Sequence, residues 1–150
     1  IYESLLRVGC IMKGPNIPKN QVIDDPVSTL DIPATLYDYA NITNPMELNG
    51  KSLLGLIHDK ANRDFAYSEW DLRSSRTGLE LDLRVARTKG AKLIYEEISQ
   101  TGEMYILSED PGEMNNVFND TAYSKIQKEL MDMIKSRPND AIPKLDQVGM

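Results

Sequence analysis

The chain has 150 residues, of which 41% are hydrophobic and 27% charged, so it is long enough and apolar enough to form a globular domain with a modest core. Its formal net charge of -6 argues against a nucleic acid or an anionic membrane surface as a partner. No apolar run approaches the ~20 residues that a membrane-spanning helix requires. The one cysteine, Cys10, excludes an internal disulfide bond.

The first third of the chain is predicted to contain one buried strand and one amphipathic helix. Residues 7–13 (RVGCIMK) form a short apolar run before a Gly-Pro pair, which is typical of a buried strand. In the loop that follows, Asn16 and Asn20 stand where a turn favours positive φ. Asp31 can then cap a helix that has Pro33 in its first turn. The apolar stripe of this helix would consist of Ala34, Leu36, Tyr37 and Ala40.

The centre of the chain predicts an antiparallel sheet. Residues 65–70 (FAYSEW) are a strand candidate, and a polar segment follows them. Apolar and polar residues alternate over residues 79–86 (LELDLRVA), which is the pattern of a strand with one buried face. Residues 92–97 would return alongside it, and residues 104–107 would follow a turn at Gly102. A three-stranded antiparallel meander is the simplest interpretation.

The last third predicts a short helical turn and one long helix. Residues 110–113 (DPGE) have the Asp, Pro and Glu spacing of a capped first turn. Asp120 or Thr121 would cap the long helix, and Pro138 would end it. The meander is the natural partner for its apolar face, which is formed by Tyr123, Ile126, Leu130, Met133 and Ile134.

Four segments, in this order, resemble the C-terminal portion of a sulfatase of the alkaline-phosphatase-like superfamily. They are residues 2–19 (YESLLRV to KGPNIPK), 27–36 (VSTLDIPATL), 49–54 (NGKSLL) and 84–117 (RVART, KLIY and MYILSEDPGEMNNV). Each motif alone is weak, but four in the right order are fairly specific. The chain departs from the family pattern at a few positions, which are Gly9, Cys10, Asn16, Asn20 and Ala34.

The resemblance implies an α+β chain that is the tail of an α/β sulfatase fold. Residues 1–60 would be a remnant of the large domain, with one or two core strands and a covering helix. Residues 61–150 would be a small antiparallel sheet packed on a C-terminal helix. The chain opens at Ile1 in mid-pattern, without an initiator Met, which suggests a piece of something longer.

The resemblance also implies a parent that hydrolyses sulfate esters on a small molecule or glycan. Such a parent would use a formylglycine nucleophile and a divalent metal, usually calcium, both held by the missing N-terminal catalytic part. Members of the family are commonly exported to the periplasm or secreted. The isolated chain is expected to self-associate through surfaces that this missing part would cover.

We assign no catalytic, cofactor-binding or metal-binding residue to this chain. Cys10 precedes Ile-Met-Lys-Gly, which is not the formylglycine motif, and we interpret it as a small buried core residue. Asp24 and Asp25 are interpreted as a solvated loop rather than as contacts of an ion, and the one histidine, His58, as a surface or packing residue.

Three residues are candidates for a substrate cleft. Arg7 begins the predicted core strand, and its alternative role is an ion pair at the end of that strand. Trp70 and Arg73 belong to a predicted polar loop, where an aromatic ring and a guanidinium would suit sugars and sulfates.

Two other functions stay open at this point. The chain could be a stand-alone binding or interaction module that keeps these motifs only for packing. Its parent could also be a phosphatase or phosphodiesterase of the same superfamily, which would use Ser or Thr with two zinc ions.

Overall fold

The computed structural model describes residues 1–43, 48–72, 78 and 80–136. The helices are α1 (Glu3–Leu6), α2 (Asp31–Tyr39), α3 (Leu54–Ile57) and α4 (Ser124–Lys135), and a 3-10 turn, Thr121–Tyr123, precedes α4. The strands are β1 (Phe65–Leu72), β2 (Leu81–Thr88), β3 (Lys92–Glu96) and β4 (Thr101–Tyr105). Within these residues, no helix combines the length and the apolar character needed to cross a bilayer.

The four strands form one antiparallel sheet in the order β1-β2-β3-β4. The predicted meander is therefore confirmed and gains β1 as a fourth strand. Its register pairs Ser68 with Val85 and Val85 with Ile94, so these three side chains share one face. Tyr67, Ala86 and Leu93 share the opposite face in the same way. The predicted α+β class, a small antiparallel sheet with a C-terminal helix, is confirmed.

Strand β4 lies earlier in the chain than the sequence predicts. The turn is made by residues 97–100, where Gln100 takes a φ of 55°, and Gly102 lies within the strand opposite Tyr95. A Cβ atom at Gly102 would lie 2.6 Å from the carbonyl oxygen of Ile94 and 3.1 Å from the Phe118 ring. The prediction of a turn at Gly102 is wrong, because this glycine serves the close packing of a strand.

Helix α4 packs on the sheet as predicted, but on the face of Ala86 rather than on the face of Val85 that the alternation of residues 79–86 predicted to be the buried one. Leu130 and Ile134 are buried against a cluster that includes Ala86, Leu93 and Met104. The predicted cap of the long helix is wrong, because the N-cap of α4 is Tyr123, which makes no side-chain cap hydrogen bond. Asp120 instead caps the 3-10 turn that leads into α4, and its carboxylate accepts a hydrogen bond from the backbone N–H of Ala122 at 2.9 Å.

The opposite face of the sheet is covered by the start of the chain, which the sequence did not predict. Ile1 and Leu6 pack against the cluster of Val85, Ile94 and Tyr105. The sheet is therefore a middle layer between α4 and the first residues of the chain.

The prediction of a buried strand at residues 7–13 is wrong. This segment pairs with no strand among the described residues, and Val8 and Ile11 are 62% and 99% exposed. A buried strand needs backbone partners and cover on both faces, and the described part of the chain supplies neither here. Cys10 is exposed for the same reason, so its interpretation as a core residue is also wrong.

Helix α2 forms at the predicted place, but its N-cap residue and its buried side chains differ from the predicted ones. Its N-cap is Leu30, and Asp31 lies inside the first turn, where its buried carboxylate accepts a hydrogen bond from the backbone N–H of Ser28 at 2.8 Å. Thr35 is buried, but Leu36 of the predicted apolar stripe is 57% exposed. The apolar side of α2 is thus uncovered in this chain.

The positive-φ predictions for Asn16 and Asn20 are confirmed, with values of 60° and 58°. The helical turn predicted at residues 110–113 does not form. The carboxylate of Asp110 instead accepts from the backbone N–H of Asn115 at 2.8 Å, and Glu113 takes a φ of 56° and is buried. Its partner is a buried lysine rather than a helix terminus.

Gly50 makes a close backbone approach to the start of α2. A Cβ atom there would lie 1.8 Å from the carbonyl oxygen of Leu30. We expect Gly50→Ala to lower the free energy of unfolding by about 1–3 kcal/mol because the backbone must shift, as measured by urea denaturation. Gly9→Ala is the control, since nothing lies within 4 Å of its added Cβ. Equal losses in the two variants would contradict this account of Gly50.

The turn between β3 and β4 is organised by the carboxylate of Glu96. This group accepts hydrogen bonds from the hydroxyl and the backbone N–H of Ser99, and from the backbone N–H groups of Asp82 at 3.0 Å and Ile98 at 3.1 Å. These bonds, the Ser99 hydroxyl foremost, lower the pKa of Glu96 from 4.5 to about 2.

Folding therefore depends on pH through Glu96. Because the folded state has the lower pKa, the ionised group stabilises the fold above pH 4.5 and loses this effect as the pH falls toward about 2. Glu96→Gln is expected to reduce the loss of stability across that window, as measured by urea midpoints at each pH. Glu97→Gln is the matched control, because its side chain is exposed. A pH dependence unchanged by Glu96→Gln would refute the role of this group.

Candidate substrate cleft and its ionic support

A cleft of about 420 Å³ lies between the start of the chain, the loop before α2 and one face of the sheet. Its walls come from residues 6–10 and 23–29, and strands β1 and β2 contribute Ala66, Ser68 and Arg87. Both apolar and charged groups line it, as is usual for small-molecule sites.

Arg7 stands in this cleft with an exposed side chain. Its backbone N–H donates to the carbonyl oxygen of Glu3 at 2.8 Å, which ties its position to α1. The guanidinium makes no hydrogen bond or ion pair with any residue of the described ranges. The alternative role of Arg7, an ion pair at a strand end, is therefore wrong for this chain, and the guanidinium can contact an anion.

Trp70 lies in β1, as the strand candidate at residues 65–70 predicted, and not in the loop that was also predicted to begin there. It pairs with Leu83 and shares a face with Ala66 and Ser68, two residues that line the cleft. Its side chain is 47% exposed. The fold thus places Arg7 and Trp70 on the same side of the sheet. Arg73, the third candidate, lies outside the described residues.

Two residues that line the cleft, Arg87 and Glu3, belong to a series of alternating charges that is buried at its other members, Lys92 and Glu113. We call these four residues the ionic chain: Arg87, Glu3, Lys92 and Glu113. Arg87 Nη2 lies 3.1 Å from Glu3 Oε2, and Lys92 Nζ lies 3.7 Å from Glu3 Oε1. Lys92 Nζ also contacts a carboxylate oxygen of Glu113, and the other oxygen accepts from the backbone N–H of Glu3 at 2.6 Å.

Lys92 is completely buried and donates a further hydrogen bond to the carbonyl oxygen of Ile1 at 2.9 Å. Sequence reasoning missed this group. The one signal in the sequence was the alternation along β3, which places Lys92 on the same face as Ile94. A lysine on a buried face needs carboxylate partners. Its carboxylate partners lie 89 and 21 residues away along the chain, and no pattern connects them.

Of the two acidic residues interpreted as a solvated loop, Asp24 is exposed and Asp25 is partly buried. Asp25 accepts from the backbone N–H of Arg63 at 3.3 Å and lies 3.7 Å from Lys89 Nζ. His58 is exposed at the end of α3. The described ranges contain no group of three or more His, Cys, Asp or Glu side chains that could hold a metal ion. The side chains of these ranges do not form a site for calcium, and Cys10 does not stand in a formylglycine motif.

The sequence matches the model of the family described as N-sulphoglucosamine sulphohydrolase, C-terminal, over residues 1–140. It is 31% identical over 150 residues to a Delta 4,5-hexuronate-2-O-sulfatase of Bacteroides thetaiotaomicron, covering 93% of this chain and 30% of that protein. The solved structure of a 2-O GAG sulfatase aligns with a TM-score of 0.69 and 29% identity, covering 81% of this chain and 27% of that one.

A further solved structure shows a relative in complex with its substrate, D-glucosamine-2-N,6-O-disulfate. It aligns with a TM-score of 0.58 and 30% identity, covering 70% of this chain and 22% of that one. The chain thus spans less than a third of the length of each of these proteins. It belongs to the N-sulphoglucosamine sulphohydrolase C-terminal family and is a C-terminal sulfatase portion, whose N-terminal part is missing here.

Proposed function

We propose that the protein containing this chain is a sulfuric ester hydrolase that acts on a sulfated saccharide. The observation that carries this proposal is the family match over residues 1–140. Two relatives support the substrate class, because one is named for a hexuronate sulfate and another binds a glucosamine disulfate. In this protein the chain forms part of the substrate cleft, and the bond-breaking groups lie in the N-terminal part.

The same proposal assigns the cofactors of the protein to its N-terminal part. A hard divalent cation such as calcium would polarise the sulfuryl oxygens, and a formylglycine would supply the nucleophile. Because the described residues of this chain form no site for calcium and Cys10 does not stand in a formylglycine motif, both groups are assigned to the N-terminal part. Export to the periplasm or secretion, where such enzymes meet extracellular glycans, belongs to the same proposal.

The surface of the first third of the chain supports a role as a docking face for that part. Of the fourteen large hydrophobic side chains exposed in the described ranges, eleven belong to residues 1–43: Tyr2, Leu5, Val8, Ile11, Val22, Ile23, Val27, Leu30, Ile32, Leu36 and Ile42. So dense an apolar surface is typical of an interface. Its occupant is the N-terminal part, since the relatives extend far beyond the match. Without that part, the isolated chain would bury this face by self-association.

Arg7 and Trp70 give the cleft the chemistry of a sulfated sugar site. An arginine without a protein partner can donate paired hydrogen bonds to a sulfate oxygen pair. The half-exposed indole of Trp70, on the same face of β1 as Ala66 and Ser68, offers an apolar face to a sugar ring. Arg73 belongs to the same proposal, although no contact of its side chain is described.

Steady-state kinetics of the complete enzyme would test this function. Wild-type enzyme should release sulfate from D-glucosamine-2-N,6-O-disulfate, and Arg7→Gln should raise KM roughly 10- to 100-fold, the effect of one charge-assisted hydrogen bond. Trp70→Ala should raise KM by a smaller factor. Ile98→Ala is the control, because it is exposed in the turn between β3 and β4, away from the cleft residues.

The alternatives predict different results in the same assay. Turnover of phosphate esters without any of sulfate esters would identify a phosphatase or phosphodiesterase. Inactivity toward both substrate classes would favour a binding module. An unchanged KM in Arg7→Gln would exclude this cleft as a substrate subsite while leaving the sulfatase activity in place.

A further inference from the structure

The first eight residues depend on few contacts for their position. Helix α1 has only four residues, and none of them is buried. The apolar anchors of the segment are Ile1 and Leu6, which pack against the sheet, and Tyr2, whose ring lies 6.3 Å from that of Tyr105. The ionic chain adds a polar attachment through Glu3.

The formal charges of the ionic chain sum to zero. Two cations alternate with two carboxylates, and each inner group contacts a partner on both sides. The end at Arg87 lines the cleft, and the end at Glu113 lies in the loop after β4, where it also accepts from the backbone N–H of Glu3. The ionic chain therefore connects the cleft wall to a loop 110 residues from Glu3 in sequence.

Glu3 transmits this attachment to the cleft. The carbonyl oxygen of Glu3 accepts a hydrogen bond from the backbone N–H of Arg7. Arg7 therefore lies one helical turn after Glu3, whose carboxylate is held by the ionic chain. If Glu3 moves, the backbone of Arg7 moves with it, and the wall formed by residues 6–10 follows.

We propose that Glu3 and Glu113 are positioning residues for the cleft, which act through Lys92 and Arg87 to hold residues 1–8 on the sheet and thereby place Arg7. Glu113 is not among the residues that line the cleft, and the carboxylate of Glu3, which does line it, is engaged by Arg87 and Lys92. Their role is to hold residues 1–8 as a fixed wall of the cleft.

Cys10 offers a direct measurement of this role, because it is exposed, lines the cleft and lies three residues after Arg7. One nitroxide label on Cys10 and a second on the cysteine of Ile98→Cys would report the distance between the cleft wall and the sheet by pulsed electron–electron double resonance. We expect a narrow distribution for the unaltered ionic chain and a distribution roughly twice as wide or wider in Glu3→Ala, because the segment is released locally while the sheet stays folded.

Two controls separate positioning from general destabilisation. Leu130→Ala weakens the core on the opposite face of the sheet and should leave the distribution narrow. Glu109→Ala removes a carboxylate that accepts from the Tyr123 hydroxyl outside the ionic chain, and it should also leave the distribution narrow. A narrow distribution in Glu3→Ala, or equal broadening in Leu130→Ala, would overturn the proposal.

A second arm rests on the proposed function and uses the complete enzyme with D-glucosamine-2-N,6-O-disulfate. Glu3→Ala should raise KM roughly ten-fold, since Arg7 loses its place, and should change kcat much less. A roughly ten-fold fall in kcat with an unchanged KM would contradict a positioning role in substrate binding. If the wild-type enzyme shows no turnover, the proposed function fails, and the distance measurement alone decides the role of Glu3.

Discussion

Replacing Glu113 with glutamine is expected to lower the free energy of unfolding by about 3–5 kcal/mol, which is the cost of leaving one member of a buried ion pair without its partner. Lys92 is completely buried, so water cannot replace the lost carboxylate. Glu3 Oε1 lies 3.7 Å from Lys92 Nζ, but this carboxylate is a weaker partner than Glu113 because it is also paired with Arg87. Such a loss is a large fraction of the stability of a domain this size. Urea denaturation monitored by circular dichroism measures it.

The double variant Lys92→Met/Glu113→Gln is the matched control. It removes the buried ammonium together with its partner, and Glu3 keeps its ion pair with Arg87. We expect most of the lost stability to return, because the penalty comes from the unpaired charge rather than from the missing contact. A double variant that is as unstable as the sum of the two single variants would show that the two side chains do not act as a pair.

Local patterns predicted the elements whose stability is decided nearby. The alternation around Val85 indicated a strand, although the single buried face that it predicted is wrong, because Val85 and Ala86 are completely buried on opposite faces of the sheet. The spacing of Leu130 and Ile134 indicated the buried face of α4. The positive φ of Asn16 and Asn20 was predictable, because a turn's backbone geometry restricts residue type directly. In these cases, each residue's environment follows from its neighbours in sequence.

Patterns failed where the environment comes from distant residues. The apolar run at residues 7–13 has the composition of a buried strand, but strand formation needs partner strands, and none lies beside it in the described ranges. The exposed Leu36 of α2 illustrates the same limit. An apolar stripe predicts that a surface will be covered and does not say whether the covering residues belong to the same stretch of chain.

For the candidate site, side-chain chemistry alone singles out Arg7 and Trp70, and their contact with a substrate stays a prediction. The register of β1 places Trp70 on the side of the sheet where Ala66 and Ser68 line the cleft together with Arg7. The ionic chain could not be predicted, because Glu3 and Glu113 are 110 residues apart in sequence and no local pattern connects them. The spacing of Glu113 from Asp110 fits a capping motif, and only the burial of Glu113 beside Lys92 shows otherwise.

Leu130→Ala is expected to lower the free energy of unfolding by about 3–5 kcal/mol, as core Leu→Ala changes do when the cavity cannot collapse. The Leu130 side chain is 1% exposed and packs in the cluster with Leu93 and Met104, both completely buried. Because α4 is the layer that covers this face, the loss should affect the whole small sheet, with one cooperative transition in urea at a lower midpoint.

Two substitutions of exposed residues define what this result means. Lys128→Ala, on the solvent side of α4, should change the stability by less than ~0.5 kcal/mol. Leu36→Ala on α2 should also have a small effect in this chain, because its side chain is 57% exposed. In the complete enzyme, the same Leu36→Ala should become destabilising if the N-terminal part covers α2 as proposed. A Leu36→Ala effect that is equally small in both proteins would place the docking face elsewhere on the chain.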